Sequence, residues 1–370
     1  MPEKLQSRAV VADGRGGFAL DTVELLPPAG DEVLVEIRAA GICHTDWDSI
    51  QTWDGPFIVG HEGAGVVRAV GPDVTRYHSG DAVVLNWAIP CRSCAMCDDE
   101  LFPLCERGSA INGDGVSGVP RAEATTYRGE PVTKSFNLGT MSELSLVREA
   151  ACQPLRETVP FPVGAILGCG VMTGYGSVVN AAKVEPGSSV AVLGCGGIGL
   201  NVIQAAKIAG ATTIIGIDIG EDRLQQAKQF GATHTLLSQR GDTELTTVRE
   251  EVRRLTTRGA DYAFECTAIP ELGAAPLALV RHGGTAVQVS GIEQVIPFDC
   301  ELFEWDKIYI NPLYGKCDPD RDFPKLQDHY SAGELKLDEM ITRTYPLNQV
   351  AAAFEDMLAG RLAKGVLEFR

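Results

Sequence analysis

Four cysteines crowd one short stretch of the chain: Cys91-Arg-Ser-Cys94-Ala-Met-Cys97 and then, after seven intervening residues, Cys105. A single tight loop with that spacing can wrap one ion, and zinc favours a tetrahedral shell of sulfur ligands. Four sulfurs close the shell and leave no position for a substrate, so the pattern reads as a structural zinc site. Two alternatives share it. Free or bridged thiols need no metal, although eleven cysteines, an odd number, make a poor disulfide framework in reducing surroundings. An iron–sulfur cluster has the same initial spacing but closes with a shorter last gap followed by proline.

A second pattern, Gly194-Cys195-Gly196-Gly197-Ile198-Gly199, lies between an apolar strand, Val190–Leu193, and a long apolar helix. Small residues at this G-x-G-x-x-G turn let backbone approach a pyrophosphate, and the helix start offers free N–H groups and partial positive charge. Nineteen residues beyond Gly199 stands Asp218. A carboxylate there accepts both hydroxyls of a ribose and repels a 2′-phosphate, which favours NAD over NADP, while nearby Arg223 pulls the other way. The competing reading is a glycine turn that packs helix on strand and binds nothing.

Third comes a scattered set: Cys43-His44-Thr45-Asp46, Gly60-His61-Glu62-Gly63-Ala64-Gly65, and Cys169 between two glycines. Two cysteines and a histidine are a known ligand set for a catalytic zinc that keeps its fourth position open. From spacing alone, a buried free cysteine and a satisfied core histidine explain these residues equally well.

Two kinds of architecture must position these residues. Up to about Ala150, short runs such as Glu32–Arg38, Gly65–Val67 and Ala82–Leu85 alternate with Gly, Pro and Asp, which reads as a mostly β domain. From about Gly170 the order becomes strand Ser188–Leu193, helix Gly196–Ala209, strand Thr212–Ile217, a βαβ unit that predicts a doubly wound parallel sheet. Strands at Ala260–Glu265 and Gly284–Val289 extend it to roughly Ile310. After Pro312 neither pattern is clean, but a helix over Gln349–Leu358 and a last strand over Gly365–Phe369 are expected.

At 370 residues, 45% hydrophobic and 22% charged, the chain suits a globular α/β protein with two cores. Its net charge of −17 repels phosphate backbones and anionic lipid heads, so neither nucleic acid nor membrane is an expected partner. The first residues carry charges throughout and lack the apolar core of a signal peptide. No apolar run is read as long enough to span a bilayer, and the expected compartment is the cytoplasm.

In order and spacing, Cys43-His-Thr-Asp, Gly60-His-Glu-Gly-Ala-Gly, the four-cysteine loop, Gly168-Cys-Gly-Val-Met-Thr-Gly-Tyr-Gly and the glycine turn resemble the motifs of zinc-dependent medium-chain alcohol dehydrogenases, from about Val33 to Phe369. The resemblance implies an α/β protein with a GroES-like catalytic domain (1–169 and 311–370) and a Rossmann NAD-binding domain (170–310). It further implies an active site in the cleft between them and a homodimer or homotetramer. It assigns Cys43, His61 and Cys169 to a catalytic zinc, making two zincs per chain. Asp46 then orients the His61 ring, and Glu62 is the acid behind the metal. Lys364 reaches the cofactor pyrophosphate, Thr173 lies beside the nicotinamide, and Thr45 starts a proton relay. His44 joins the cofactor set where liver-type enzymes have arginine, and Asp48 replaces their relay histidine as the exposed base.

Further departures concern the branch. The glutathione-dependent formaldehyde enzymes carry arginine four residues after the last structural cysteine, where this chain has Ser109. The phrases around Asn86-Trp87 and Asp322–Lys325 are similar to mycothiol-dependent formaldehyde and nicotinoprotein dehydrogenases. The expected reaction moves a hydride between NAD and an alcohol, primary and apolar or aromatic, giving an aldehyde or ketone, with Trp47, Trp53, Phe57 and Trp87 as a candidate pocket for bulky or aromatic groups. A thiol-adduct formaldehyde dehydrogenase, a dismutase with permanently bound cofactor, a C=C reductase of the same fold and a non-enzymatic zinc protein are the alternatives.

Overall fold

The computed structural model describes residues 4–108 and 121–369, and the chain divides into two compact units, Met1–Cys169 with Asp318–Arg370, and Gly170–Cys317. In the first unit the β-branched run Glu32–Gly41 forms a ten-residue strand at the heart of a seven-stranded sheet. Gly63–Val70 pairs antiparallel along one edge of it. The other edge is shared: Leu144–Arg148 covers Glu32–Glu36, and the C-terminal strand Lys364–Glu368 covers Ala39–Gly41. That last pairing draws the chain's end back to the segment that precedes Cys43. A second, six-stranded sheet is built on the hairpin of Leu5–Ala12 and Phe18–Leu25, and Val11, Val23, Leu25, Leu34, Ile58 and Leu146 pack as its core.

The second unit is an all-parallel sheet ordered His234–Leu237, Thr213–Asp218, Ser189–Leu193, Ala260–Glu265, Val280–Gln288, Ile308–Ile310. Numbered along this unit the order is 3-2-1-4-5-6, the doubly wound arrangement that binds dinucleotides where the order reverses. Its central strands Ser189–Leu193 and Thr213–Asp218 are nearly continuous apolar runs, almost wholly buried, because both faces are covered there. Asn311–Cys317 stays with this unit, since the left-handed Gly315 lies backbone to backbone against Gly176, with no room for a Cβ on either.

Helical residues Phe161–Ala182 correct one expectation. The run is 22 residues long and apolar enough to cross a membrane by length and composition, yet most of it is buried inside the protein. Its apolarity serves core packing, which spanning length alone does not distinguish. Cys169 sits in its π-helical turn, Leu167–Val171.

Candidate active site and metal centres

The strand Glu32–Gly41 ends two residues before Cys43, which is the N-cap of the helix His44–Thr52. Asp46, at the third helical position, reaches back so that its Oδ2 accepts from the Cys43 backbone N–H at 3.1 Å, the reciprocal half of a capping box. Its Oδ1 lies 2.7 Å from His61 Nδ1, and both side chains are sealed from solvent. With Nδ1–H donated to Asp46, Nε2 is the ring nitrogen left to face the cluster, and this buried atom has no hydrogen-bond partner. The sulfurs of Cys43 and Cys169, a His61 nitrogen and a Glu62 oxygen all lie within 4.8 Å of one another.

Glu62 reaches the cluster because Gly41 has no side chain: a Cβ there would meet Glu62 Oε2 at 1.9 Å. Lys364, at the start of the C-terminal strand, donates to Glu62 Oε1 at 2.5 Å, and Oε2 has no partner. A hydrogen bond from Cys169 holds the Cys43 thiol well below its ordinary pKa, helped by His61 and Lys364 against the opposing effect of burial. That hydrogen bond and burial push Cys169 well up. Burial works against a charged His61, yet the Asp46 carboxylate and Cys43 draw its pKa well above the usual value. Burial raises Glu62 to about 7 although Lys364 pulls it down. Lys364 would itself be lowered by burial, but Glu62, Cys43 and Cys169 hold it above its ordinary range. The shifts come from burial in a dry pocket and from the mutual interaction of the charged and hydrogen-bonded groups packed there. An orphaned imidazole nitrogen facing two sulfurs in such a pocket fits a zinc ion with Cys43, His61 and Cys169 as ligands.

The four-cysteine loop fits zinc on separate grounds. Cys94 caps the short helix Ala95–Asp98, the turn Phe102–Leu104 brings Cys105 back, and the four sulfurs gather within 4.8 Å of one another. Cys94 and Cys105 sulfurs are 4.0 Å apart. That is far beyond a bridge of about 2.05 Å and near the roughly 3.8 Å edge of a tetrahedron with bonds of about 2.3 Å. Cys105 Sγ accepts from the Cys91 and Gly108 N–H groups, each at 3.2 Å. Burial would raise its pKa, but those N–H groups bring it below the ordinary value, as a thiolate ligand requires. Arg92, stacked 4.2 Å over the Phe102 ring, fastens the loop to Asp318 and Asp320 at 2.6 and 2.8 Å.

In the second unit Gly194 adopts φ +93°, and a Cβ on Gly199 would meet the Gly194 carbonyl at 1.8 Å, so the turn demands glycine at both places. Gly196 caps the helix Gly197–Ile208, whose first turn holds Ile198 and Gly199. Around Gly196 a Cβ would meet nothing within 4 Å, which leaves the space a pyrophosphate needs. Asp218, buried at its strand end, accepts from the Cys195 and Gly220 N–H groups at 2.8 and 2.9 Å, with Arg223 3.8 Å away. Thr173 is half-buried, and its neighbour Gly174 packs on the Ile198 carbonyl. His44, Thr45 and Asp48 are exposed on the helix that Cys43 caps. Thr45 Oγ1 lies 3.6 Å from Cys43 Sγ, and Asp48 is three residues on along the same helix face.

The aromatic residues divide. Trp47 packs on Phe354, with ring centroids 5.7 Å apart, while Trp53 and Trp87 both lie against Phe136, at 5.6 and 5.4 Å. The Phe136 ring also sits 4.8 Å from the His61 ring. Sequence reasoning missed Phe136, which is held at φ +50° in a short turn that no motif marks. Ser109 lies outside the described residues.

Two clusters of different geometry predict separable losses of metal. Replacing Cys97 by Ser should remove one of two zincs and destabilise the fold, by several kcal/mol on the order of what a structural zinc contributes. His61→Ala should remove the other zinc and abolish turnover with little change in unfolding temperature. Elemental analysis with thermal unfolding checks both, and two zincs retained in either variant would contradict the ligand sets.

The alcohol dehydrogenase GroES-like domain family matches residues 29–160, and the zinc-binding dehydrogenase family matches 197–311. An S-(hydroxymethyl)glutathione dehydrogenase of Paracoccus denitrificans is 34% identical across 98% of this chain and 100% of its own length. Among solved structures, an alcohol dehydrogenase zinc-binding domain protein from Burkholderia ambifaria aligns with a TM-score of 0.91 at 32% identity over 100% of both chains. The benzyl alcohol dehydrogenase of Acinetobacter calcoaceticus gives 0.89 at 30% identity, over 99% of this chain and 100% of that one. The likeness in sequence and in fold runs along almost the whole of this chain: it belongs to the zinc-dependent medium-chain alcohol dehydrogenase family.

Proposed function

We propose that this NAD-dependent zinc dehydrogenase acts on free, uncharged primary alcohols, aryl or long-chain ones above all, converting them to aldehydes. The observation that carries the proposal is the Phe136 ring, packed on the ligand His61 and flanked by Trp53 and Trp87. An apolar wall beside the metal ligands stabilises a hydrocarbon substituent and offers nothing to a carboxylate.

In this reading Cys43, His61 and Cys169 hold the catalytic zinc, whose Lewis acidity lowers the pKa of an alcohol hydroxyl, while NAD supplies the hydride acceptor. Asp46 fixes the ring angle and tautomer of His61. The Thr45 hydroxyl accepts a hydrogen bond from the alcohol and gives up its own proton as it receives the alcohol's, and Asp48 is the exposed base through which that proton leaves to solvent. The glycine turn, with Asp218 on the ribose, holds the dinucleotide, and Thr173 adjoins its nicotinamide. Glu62 and Lys364 balance the charge behind the metal, and Lys364 is the basic group proposed for the cofactor pyrophosphate.

A second reading, dehydrogenation of a formaldehyde–thiol adduct, is favoured by the 34% identity to an S-(hydroxymethyl)glutathione dehydrogenase. Against it stand the apolar wall and a net charge of −17, which disfavours an anionic adduct. We further infer a cytoplasmic homodimer or homotetramer. All eleven cysteines are unbridged, as reducing surroundings require. Val295, Phe298, Trp305 and Ile308 lie exposed at or before the edge strand Ile308–Ile310. Light scattering on protein from the soluble cell fraction should give two or four times the 39.5 kDa chain mass, and a monomer would contradict the assembly.

For the substrate, kcat/KM should be higher with benzyl alcohol than with the formaldehyde adducts of glutathione or mycothiol. Phe136→Ala should raise KM for benzyl alcohol about tenfold, roughly 1.4 kcal/mol of lost binding, and leave ethanol less affected. An adduct preferred by more than about a hundredfold, roughly 2.7 kcal/mol in transition-state binding, would contradict the free-alcohol reading.

A further inference from the structure

Glu265 is a fully buried carboxylate that the reaction described above does not use. It ends the strand Ala260–Glu265, directly beside Leu193, the last residue before the glycine turn. Its Oε1 accepts three hydrogen bonds from the loop that follows: the Thr267 N–H at 2.5 Å, the Thr267 hydroxyl at 2.6 Å and the Ala268 N–H at 3.0 Å. Its Oε2 accepts from the Ser290 hydroxyl, just beyond the end of the neighbouring strand Val280–Gln288. Ser290 Oγ in turn accepts from the Ala268 N–H at 3.1 Å. Ala268 is held in the left-handed region at φ +58°, a conformation a non-glycine residue keeps only when its surroundings enforce it.

This loop is also a wall of the dinucleotide turn. A Cβ on Gly194 would meet the Cys266 carbonyl oxygen and Thr267 Cγ2, each at 2.9 Å, so loop and turn are in direct contact. In a sheet ordered 3-2-1-4-5-6, the two halves of a dinucleotide lie on opposite sides of the point where the order reverses. Asp218, on the second strand, marks the adenosine side. The other side is formed by the end of the fourth strand, which carries Glu265, and by the segment just after the fifth, which carries Ser290.

We propose that Glu265 is a positioning residue for the nicotinamide half of the cofactor, acting through the Cys266–Ala268 loop that it and Ser290 hold in place. It is the counterpart of Asp218 across the sheet: one carboxylate receives the adenosine ribose, the other fixes the backbone against which the nicotinamide half lies. This rests on the dinucleotide reading of the glycine turn. A glutamine can keep the three loop bonds on its carbonyl oxygen, so the geometry of the acceptor, not its charge, is what the loop requires.

The test compares NAD with ADP-ribose, which keeps both riboses and the pyrophosphate but lacks the nicotinamide ring. For Glu265→Ala, calorimetry should show NAD binding weakened tenfold or more, with ADP-ribose changed less than threefold. Glu265→Gln should restore NAD to within threefold of wild type. Ser290→Ala, which leaves the three loop bonds intact, should shift NAD in the same direction by a smaller factor and serves if Glu265→Ala does not fold. Equal loss of both ligands, or NAD binding unchanged in Glu265→Ala and Ser290→Ala, overturns the proposal while leaving the site itself intact. A wild-type protein that binds neither ligand overturns the glycine-turn reading, and the proposal with it.

Discussion

Sealing the Asp46 carboxylate from water is costly, and its two oxygens offset that cost by accepting, one from the His61 ring and the other from the Cys43 backbone N–H. Two residues eighteen positions apart in sequence are thereby locked to one side chain. The helix His44–Thr52 cannot start elsewhere without losing its cap, and the His61 ring cannot turn without stranding a charge. Around this fixed point the sheet supplies the rest. Glu32–Gly41 delivers Cys43, Gly63–Val70 follows His61 and Glu62, and the C-terminal strand delivers Lys364. The pocket they form is dry and rich in negative potential, which is what makes a divalent cation its natural occupant.

The two metal centres solve different problems with the same element. The cysteine loop gathers four sulfurs from fifteen consecutive residues and needs no help from the sheet, so its geometry is local. Arg92 then links that local knot to Asp318 and Asp320, at the start of the segment that completes the first unit. The catalytic cluster is the reverse, drawn from three distant stretches and held by hydrogen bonds to side chains that are not ligands. A closed shell stabilises a fold, while an incomplete one supported from behind is free to bind substrate.

How far the sequence revealed this depended on how local each signal was. The cysteine loop and the glycine turn carry their geometry in consecutive residues, and both stand where spacing placed them. The strands Ala82–Leu85 and Ala260–Glu265 match their expected spans: the first is continuously apolar, and the second carries the aromatic residues Tyr262 and Phe264. The helix Pro319–Ser331 escaped notice: Pro319 at its start is compatible with a helix, but Pro324 inside it reads as a breaker. The spanning-length helix was overlooked because glycines at 164, 168, 170, 174 and 176 interrupt its apolar pattern. Phe136 and Glu265 were invisible for another reason. One takes its role from a left-handed turn and the other from hydrogen bonds across two strand ends, and neither leaves a trace in residue spacing.

The central claim is that one chain builds two zinc sites of different ligand composition. Anomalous scattering from crystals at the zinc absorption edge locates each ion without reference to activity. Two peaks per chain are predicted, one enclosed by Cys91, Cys94, Cys97 and Cys105, the other bonded to Cys43, His61 and Cys169 with His61 Nε2 as the nitrogen ligand. A single peak, or a second peak that His61 Nε2 does not touch, would contradict the account.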